Sequence, residues 1–129
     1  MTVCLDAWAV VAWLQNDPAA SRMQAHVGDS RCCMSWVNAG EVHYVVHRRT
    51  DRHTADRVIA QLRVDVDLID ATGARALDAA AIKATHRMSY ADCFAAATAL
   101  EFGVPLITRD PEIIAARIDG LEIIDLDGR

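Results

Sequence analysis

Short apolar runs alternate with longer amphipathic stretches along the whole sequence. Four runs, at 3–5, 31–35, 104–108 and 121–125, are rich in branched or sulfur-containing side chains and predict buried strands. Between 64 and 68, apolar residues alternate with Asp65 and Asp67, which is the period-two pattern of a half-exposed strand. The pattern therefore predicts five strands.

Helical stretches fill the intervals between these strands. Asn16, Asp17 and Pro18 break the first stretch and begin a second helix, which Gly28 closes, and Gly103 ends the helix before the fourth strand. The predicted helices cover 7–15, 18 to about 27, 38–49, 52 to about 62, 71–85, 90–102 and one turn from 110. This alternation predicts a single α/β domain, 1–129, with a mostly parallel five-stranded sheet flanked by helices.

Composition limits the class of protein. The chain has 129 residues, enough for one core, and its net charge of -5 argues against a basic protein that coats nucleic acid. Its longest apolar run, 7–14, has eight residues, whereas a membrane span needs about 20. No basic leader precedes a long apolar stretch. We therefore expect neither a membrane span nor a signal peptide.

The four cysteines follow no pairing or metal-binding pattern. Cys4, Cys32 and Cys33 lie in predicted strands, and no zinc-type spacing connects them with Cys93. Unpaired, buried thiols are typical of a reducing compartment. We therefore expect free cysteines and a cytoplasmic protein rather than a disulfide framework.

Four acidic residues occupy positions where α/β folds collect ligands, near the carboxyl ends of strands. Asp6 follows the first predicted strand and Asp110 lies just past the fourth. Glu41 lies in the helix after the second strand, and Asp92 begins the helix before the fourth. Carboxylates gathered at one edge repel each other unless a cation bridges them, and Mg²⁺ or Mn²⁺ favours such oxygen ligands. These ions can activate water against a phosphodiester.

Three of these acids have a simpler alternative as helix caps. Asp6 can cap the first helix, Asp92 fits a capping box, and Asp110 precedes a proline suited to a first helical position. Glu41 has no such alternative, because it lies inside its helix with valines one turn away on either side. A charge beside apolar surface requires a partner, so Glu41 favours the metal interpretation.

Four short motifs surround these acids: Leu5-Asp6, Asn38-Ala39-Gly40-Glu41-Val42, Ser89-Tyr90-Ala91-Asp92 and Leu106-Ile107-Thr108-Arg109-Asp110. Together they resemble the motifs of PIN domains, and most closely those of the VapC toxin ribonucleases of type II toxin–antitoxin pairs. The resemblance spans nearly the whole chain. It implies a parallel five-stranded sheet and a Mg²⁺- or Mn²⁺-dependent endoribonuclease. It also implies a homodimer that acts on RNA and is inhibited by a cognate antitoxin protein.

The resemblance further implies roles for individual residues. The metal would be bound by Asp6, Glu41, Asp92 and Asp110. Thr108 would support the site through its hydroxyl, and Asn38 matches a polar position one turn before the glutamate. Trp8 departs from the family pattern, since a small hydroxyl or amide residue is usual there. We expect Trp8 to pack in the core beside Val11 and Ala12, although an exposed indole would offer a stacking face to a base.

A basic segment, 47–63, is a second candidate for RNA contact. Five arginines against two aspartates give it a net charge of +3, and Arg48, Arg49 and Arg52 are its predicted RNA-binding residues. A solvated helix pair with Asp–Arg contacts explains the segment equally well. His43 and His47 have zinc-type spacing but no evident third ligand, so we expect surface or interface histidines.

Other functions fit parts of the sequence less well. A phosphoacceptor receiver domain needs a lysine after its last strand, whereas the only lysine, Lys83, lies in a predicted helix. A haloacid-type phosphatase needs Asp-x-Asp after the first strand, where Trp8 takes the second acidic position. A PIN fold that has lost catalysis and serves as a binding scaffold is a further alternative, which the intact set of acids disfavours.

Overall fold

Five parallel strands form the centre of the molecule. The computed structural model describes residues 1–15, 18–27 and 31–127. The strands are β1 (Cys4–Leu5), β2 (Cys32–Ser35), β3 (Val66–Ile69), β4 (Leu106–Thr108) and β5 (Ile123–Asp125). In the order β3-β2-β1-β4-β5, every neighbouring pair is parallel. The predicted α/β fold is confirmed, and the sheet is wholly parallel.

Seven helices in the described part of the chain cover the two faces of this sheet. They are α1 (Ala7–Leu14), α2 (Ala19–Val27), α3 (Trp36–Arg49), α4 (Arg52–Asp65), α5 (Gly73–Thr85), α6 (Tyr90–Phe102) and α7 (Pro111–Ala116). Residues of α1 to α4 pack in one apolar cluster, which includes Leu5 and Ile107. Residues of α5 to α7 pack in the other, which includes Cys4 and Leu106. Successive residues of β1 and of β4 thus enter opposite cores, as the alternation of a strand buried on both faces requires.

Alanine determines how closely α6 approaches the sheet. Ala95, Ala96 and Ala99 are fully buried on this helix. Their small side chains let the helix backbone come near the strands, while Phe94 fills the larger space. Gly103 then ends α6 in the left-handed conformation, at φ 63°, and its N–H bonds the carbonyls of the last turn. The chain can therefore turn directly into β4.

The strand predicted at 64–68 begins later than expected. Val64 and Asp65 belong to α4, and β3 starts at Val66. Side chains stabilise this additional helical turn, since Gln61 Nε2 donates to Asp65 Oδ2 at 2.9 Å and the Arg31 guanidinium donates to the Val64 carbonyl at 3.0 Å. The period-two pattern was correct for β3 itself but wrong for these two residues.

Two helices begin at different residues from those predicted. Ser35 accepts the Val37 N–H at 3.2 Å and starts α3 before the predicted position 38. Thr72 accepts the Arg75 N–H at 3.3 Å and starts α5 after the predicted position 71. Both shifts follow from a hydroxyl cap. The break predicted at 16–17 and the Gly28 stop lie outside the described residues.

The structure bears directly on the predictions for the cysteines and for a membrane span. Cys4, Cys32, Cys33 and Cys93 are all buried and free, as expected. Across 1–15, 18–27 and 31–127, no helix combines the length and the apolar character needed to cross a membrane.

Ile107 provides a test of the described core, because it is fully buried in β4 between β1 and β5. We expect Ile107→Ala to lower the free energy of unfolding by about 2–5 kcal/mol, and Ile107→Val by about 0.5–1.5 kcal/mol, because each leaves a cavity of different size. Urea denaturation measures both changes. Leu77→Ala is the control, since Leu77 is 73% exposed and its truncation should change stability by less than about 0.5 kcal/mol. Equal losses for Ile107→Ala and Leu77→Ala would contradict this packing.

Candidate active site

Asp6 lies where β1 joins α1, and both of its carboxylate oxygens are hydrogen-bonded. Oδ1 accepts the Ala9 N–H at 2.8 Å and caps α1. Oδ2 accepts the hydroxyl of Thr108, which ends β4. The residue is only 1% exposed. The cap and the site interpretations of Asp6 are therefore compatible, because each uses a different oxygen.

Thr108 connects two of the acids through one hydroxyl. Its side chain is fully buried, donates to Asp6 and accepts the backbone N–H of Asp110 at 2.9 Å. Asp110 in turn caps α7, since its Oδ1 accepts the Glu112 N–H at 2.9 Å. The hydroxyl therefore fixes the side chain of Asp6 and the backbone of Asp110 relative to each other.

Asn38 makes a similar connection on the other side of the site. Its amide nitrogen donates to Glu41 Oε1 at 3.1 Å and to the carbonyl of Ala91 at 3.0 Å, one residue before Asp92. Asp92 is held at the start of α6, because its backbone N–H donates to the Ser89 hydroxyl oxygen at 3.1 Å. The oxygen of the Asn38 amide is buried without a hydrogen-bond partner among the described residues.

The electrostatics indicate that the four carboxylates share one site. The pKa of Asp6 is raised to about 6: burial is the largest cause, the hydrogen bonds from Thr108 and Ala9 oppose it, and the charges of Asp110 and Glu41 add to it. Burial also raises the pKa of Asp92 to about 7, aided by the charge of Asp110 and a hydrogen bond with it. The pKa of Glu41 is raised by burial and by Asp110. The structure thus brings together all four predicted acids.

The chemistry of this site fits a divalent cation. Its donors are carboxylate oxygens, the hard ligands that Mg²⁺ and Mn²⁺ prefer, and the raised pKa values show that full ionisation is unfavourable without a counter-charge. Within the described ranges, however, no three His, Cys, Asp or Glu side chains are spaced closely enough to form a ready metal-ligand set. The charges of the acids affect each other, but the side chains are spaced more widely than the ligands of a closed coordination shell.

Trp8 is exposed, so the prediction that it packs in the core is wrong. The indole is 39% exposed, whereas Val11 and Ala12, one turn further along α1, are buried. Ala7 and Ala9, on either side of Trp8 in the first turn, are also buried, so Trp8 lies on the one side of this turn that faces solvent. An exposed aromatic side chain therefore lies two residues after Asp6.

The three predicted RNA-binding arginines differ in their surroundings. Arg48 and Arg49 end α3, and Arg52 begins α4. Arg49 borders an apolar groove of about 350 Å³ between α1 and the α3–α4 pair, which contains none of the four acids. Arg52 lies 3.8 Å from Asp56, the type of Asp–Arg contact that the alternative interpretation expected. The arginines therefore do not form one uniform basic surface.

Tyr44 is a residue near this site that the sequence patterns did not single out. It is 44% exposed and stands three residues after Glu41 on α3. The guanidinium carbon of Arg48 lies 4.9 Å from the centre of its ring, a cation–π distance. An aromatic residue three positions after a candidate site glutamate, on a predicted helix, was the available signal.

The two histidines at zinc-type spacing make other contacts. The rings of His43 and His47 meet edge to face with centres 6.0 Å apart, and His43 Nε2 lies 2.8 Å from Asp56 Oδ1.

Three solved structures with a similar fold are a toxin–antitoxin complex, a VapBC complex bound to DNA and a VapC toxin. A toxin–antitoxin complex from Klebsiella pneumoniae has a chain 18% identical to this one, with a TM-score of 0.79 over 99% of this chain and 100% of that chain. VapBC2 from Rickettsia felis, bound to a promoter DNA fragment, is 14% identical, with a TM-score of 0.75 over 97% and 98%. VapC20 from Mycobacterium tuberculosis, a Sarcin-Ricin loop cleaving toxin, is 20% identical, with a TM-score of 0.74 over 94% and 99%. At these identities the similarity establishes the fold.

No curated protein matches the chain. The sequence pattern of the PIN domain, in contrast, matches residues 3–121. This range extends from β1 through α7 and contains Asp6, Glu41, Asp92 and Asp110, the four acids that the structure brings together at the edge of the sheet. The chain therefore belongs to the PIN domain family.

Proposed function

We propose that this PIN domain is the toxin of a VapC-type toxin–antitoxin pair, an endoribonuclease that hydrolyses RNA phosphodiesters with Mg²⁺ or Mn²⁺. The observation that carries the proposal is the shared electrostatic field of the four carboxylates. Burial first, and then the charges of the neighbouring carboxylates, raise the pKa of Asp6 to about 6 and that of Asp92 to about 7. Perturbed acids that converge in an α/β fold are typical of a catalytic site.

Each residue of the site has a defined task in this proposal. The metal would be held by Asp6, Glu41, Asp92 and Asp110. When bound, a divalent cation supplies an activated water and neutralises charge on the phosphodiester. Thr108 orients Asp6 through its hydroxyl, and Asn38 orients Glu41 through its amide nitrogen. The three predicted RNA-binding residues lie on α3, the helix that carries Glu41, and on the following helix α4. They are Arg48 and Arg49 on α3 and Arg52 on α4.

The structural relatives support the choice of substrate and partner. The tuberculosis relative is described as a toxin that cleaves the Sarcin-Ricin loop, an RNA target. The Klebsiella and Rickettsia relatives are toxin–antitoxin assemblies. We accordingly propose an RNA substrate, a cognate antitoxin that inhibits the enzyme, a homodimer, and action in the cytoplasm.

A catalytically impaired PIN scaffold that binds RNA or protein is the second candidate. One observation favours it, because the described acids fall short of a three-ligand metal set. The receiver-domain alternative gains no support, since Lys83 lies on α5 and not beyond the last strand. RNA cleavage distinguishes the two remaining candidates.

We expect the purified protein to cleave structured RNA in Mg²⁺ and to lose this activity in EDTA. Asp92→Asn should lower the rate on the order of 100-fold, because it removes a negative oxygen ligand without changing the size of the side chain. Gel analysis of the RNA products over time measures both effects, and the family resemblance leads us to expect 5′-phosphate and 3′-hydroxyl ends.

Asp78→Asn is the matched control for this experiment, because Asp78 is an exposed carboxylate on α5. It should cleave at the wild-type rate. Equal cleavage by wild type in Mg²⁺, wild type in EDTA and Asp92→Asn would exclude the metal-dependent mechanism. No cleavage by any protein, together with retained RNA binding, would favour the scaffold.

The same acids should make the metal-free protein less stable as the pH rises. Asp6 and Asp92 have pKa values raised above those of the unfolded chain, so the native state holds more protons between about pH 4 and pH 7. The free energy of unfolding contributed by these groups is therefore greatest below about pH 4, falls through this window and is constant above it. Mg²⁺ should restore stability at about pH 8, because it binds the ionised site.

Asp92→Asn should remove part of this pH dependence. In EDTA at about pH 8 we expect the variant to be more stable than wild type by about 2 kcal/mol, since a buried charge among like charges is gone. Urea denaturation at about pH 5 and about pH 8, with and without Mg²⁺, measures this. A metal-free wild type that gains stability between these pH values, or a variant less stable than wild type at pH 8, would contradict the assignment.

Expression of the chain without its antitoxin should arrest bacterial growth, and Asp6→Asn should relieve the arrest at an equal protein level. The reason is that Asp6 is buried at the centre of the acidic site. Growth curves and immunoblots measure the two quantities. Normal growth with abundant, RNA-cleaving wild-type protein would reject the toxin role while leaving the ribonuclease proposal in place.

A further inference from the structure

A row of side chains leads from the acidic site along one side of α3. Asn38, Glu41, Tyr44 and Arg48 are three or four residues apart, so they lie within about 120° of each other around the helix. Contacts connect the row at both ends, since Asn38 donates to Glu41 at 3.1 Å and Arg48 lies 4.9 Å from the ring centre of Tyr44. Arg48 is about 10 Å beyond Glu41 along the helix axis, which is the span of about three stacked nucleotides.

Tyr44 has the properties of a stacking platform. Its side chain is 44% exposed, so part of the ring is open to solvent beside the acidic site. The Arg48 guanidinium covers one face of the ring and holds it in place. A base can stack on the remaining exposed surface, and stacking on an aromatic ring requires a base that is not already stacked in a duplex.

Arg48 is an exposed arginine whose charge is available to a phosphate, and it lies on the same side of α3 as Glu41. No carboxylate of the described residues lies within ion-pair distance of it. Arg52, in contrast, lies 3.8 Å from Asp56, and Arg49 borders the apolar groove. Arg48 also follows Glu41 by two helical turns, on the side of α3 that carries the site.

We propose that Tyr44 and Arg48 bind single-stranded RNA beside the cleaved phosphodiester, Tyr44 by stacking on one base and Arg48 by contact with a neighbouring phosphate. The inference rests on the proposed ribonuclease function and deepens it, because it defines where the strand lies and which form of RNA the site accepts. The position of Arg48 also offsets the repulsion between the acidic site and RNA. Four carboxylates repel an RNA backbone, and a cation two turns from Glu41 provides attraction close to the point of cleavage.

The test measures binding of a fluorescent single-stranded RNA of mixed sequence by anisotropy, in EDTA, over a series of salt concentrations. The logarithm of the affinity falls linearly as the logarithm of the salt concentration rises. Arg48→Gln should make this slope less steep by about 0.7, the value for one lost contact with a single-strand phosphate. Tyr44→Ala should weaken binding about tenfold with little change in slope, whereas Tyr44→Phe keeps the ring and should bind like wild type. Arg22→Gln on α2 removes an exposed charge elsewhere and should change neither quantity.

A second measurement compares duplex RNA of the same length. Tyr44→Ala should weaken binding of the single strand more than binding of the duplex, since the duplex offers no free base face. In Mg²⁺, Tyr44→Ala and Arg48→Gln should raise KM for a single-stranded substrate more than they lower kcat, because neither side chain touches the reacting atoms.

Two kinds of failure are distinguishable. If wild type binds and cleaves RNA but Tyr44→Ala and Arg48→Gln match Arg22→Gln, this inference is overturned and the proposed function stands. If wild type neither binds nor cleaves RNA, the proposed function fails and the inference fails with it. A change in sedimentation of RNA-free Tyr44→Ala, with RNA binding unchanged, would assign the row to a protein contact and also overturn the inference.

Discussion

The structure depends on one buried carboxylate at the end of its central strand. Asp6 caps α1 with one oxygen and accepts the Thr108 hydroxyl of β4 with the other. Removing it would therefore disturb the start of a helix, the connection between two strands and the site together. Burial raises its pKa to about 6, so the fold holds this charge at an energetic cost that hydrogen bonds offset only in part. The same side chain therefore stabilises the fold and belongs to the proposed active site.

Two of the other acids also combine a place at the start of a helix with a place in the acidic site. Asp110 caps α7, and Asp92 follows the Ser89 cap of α6, so both lie at helix N-termini. The backbone N–H groups there favour negative charge. At Asp92, burial and the neighbouring carboxylates oppose it and raise the pKa of the carboxyl to about 7. The balance leaves acids that are fixed in place yet not fully satisfied. In the proposed function, this arrangement lowers stability in the metal-free state in exchange for a site that a cation can bind.

Much of the fold could be predicted, because hydrophobic periodicity and helix capping are local properties of the sequence. The four acids, the five strands and the Gly103 stop all follow from short motifs. Val64 could not be assigned correctly, because Arg31, far away in the sequence, binds its carbonyl and extends α4. Trp8 could not be assigned either, since its burial depends on which element covers the first turn of α1. The predicted arginines differ through individual contacts that a net segment charge averages out, since Arg52 lies near Asp56 one turn along its own helix and Arg49 borders the groove against α1.

The distribution of charge reconciles an acidic chain with the RNA substrate that we propose. Without the four site acids, the sequence has 14 acidic against 13 basic residues, so most of the net charge of -5 comes from a single site. A polyanion responds to the local field more than to the total charge. The acids are concentrated where a cation would neutralise them, and Arg48 lies two turns further along the helix that carries Glu41. An RNA strand would therefore meet attraction at the site even though the protein as a whole is acidic.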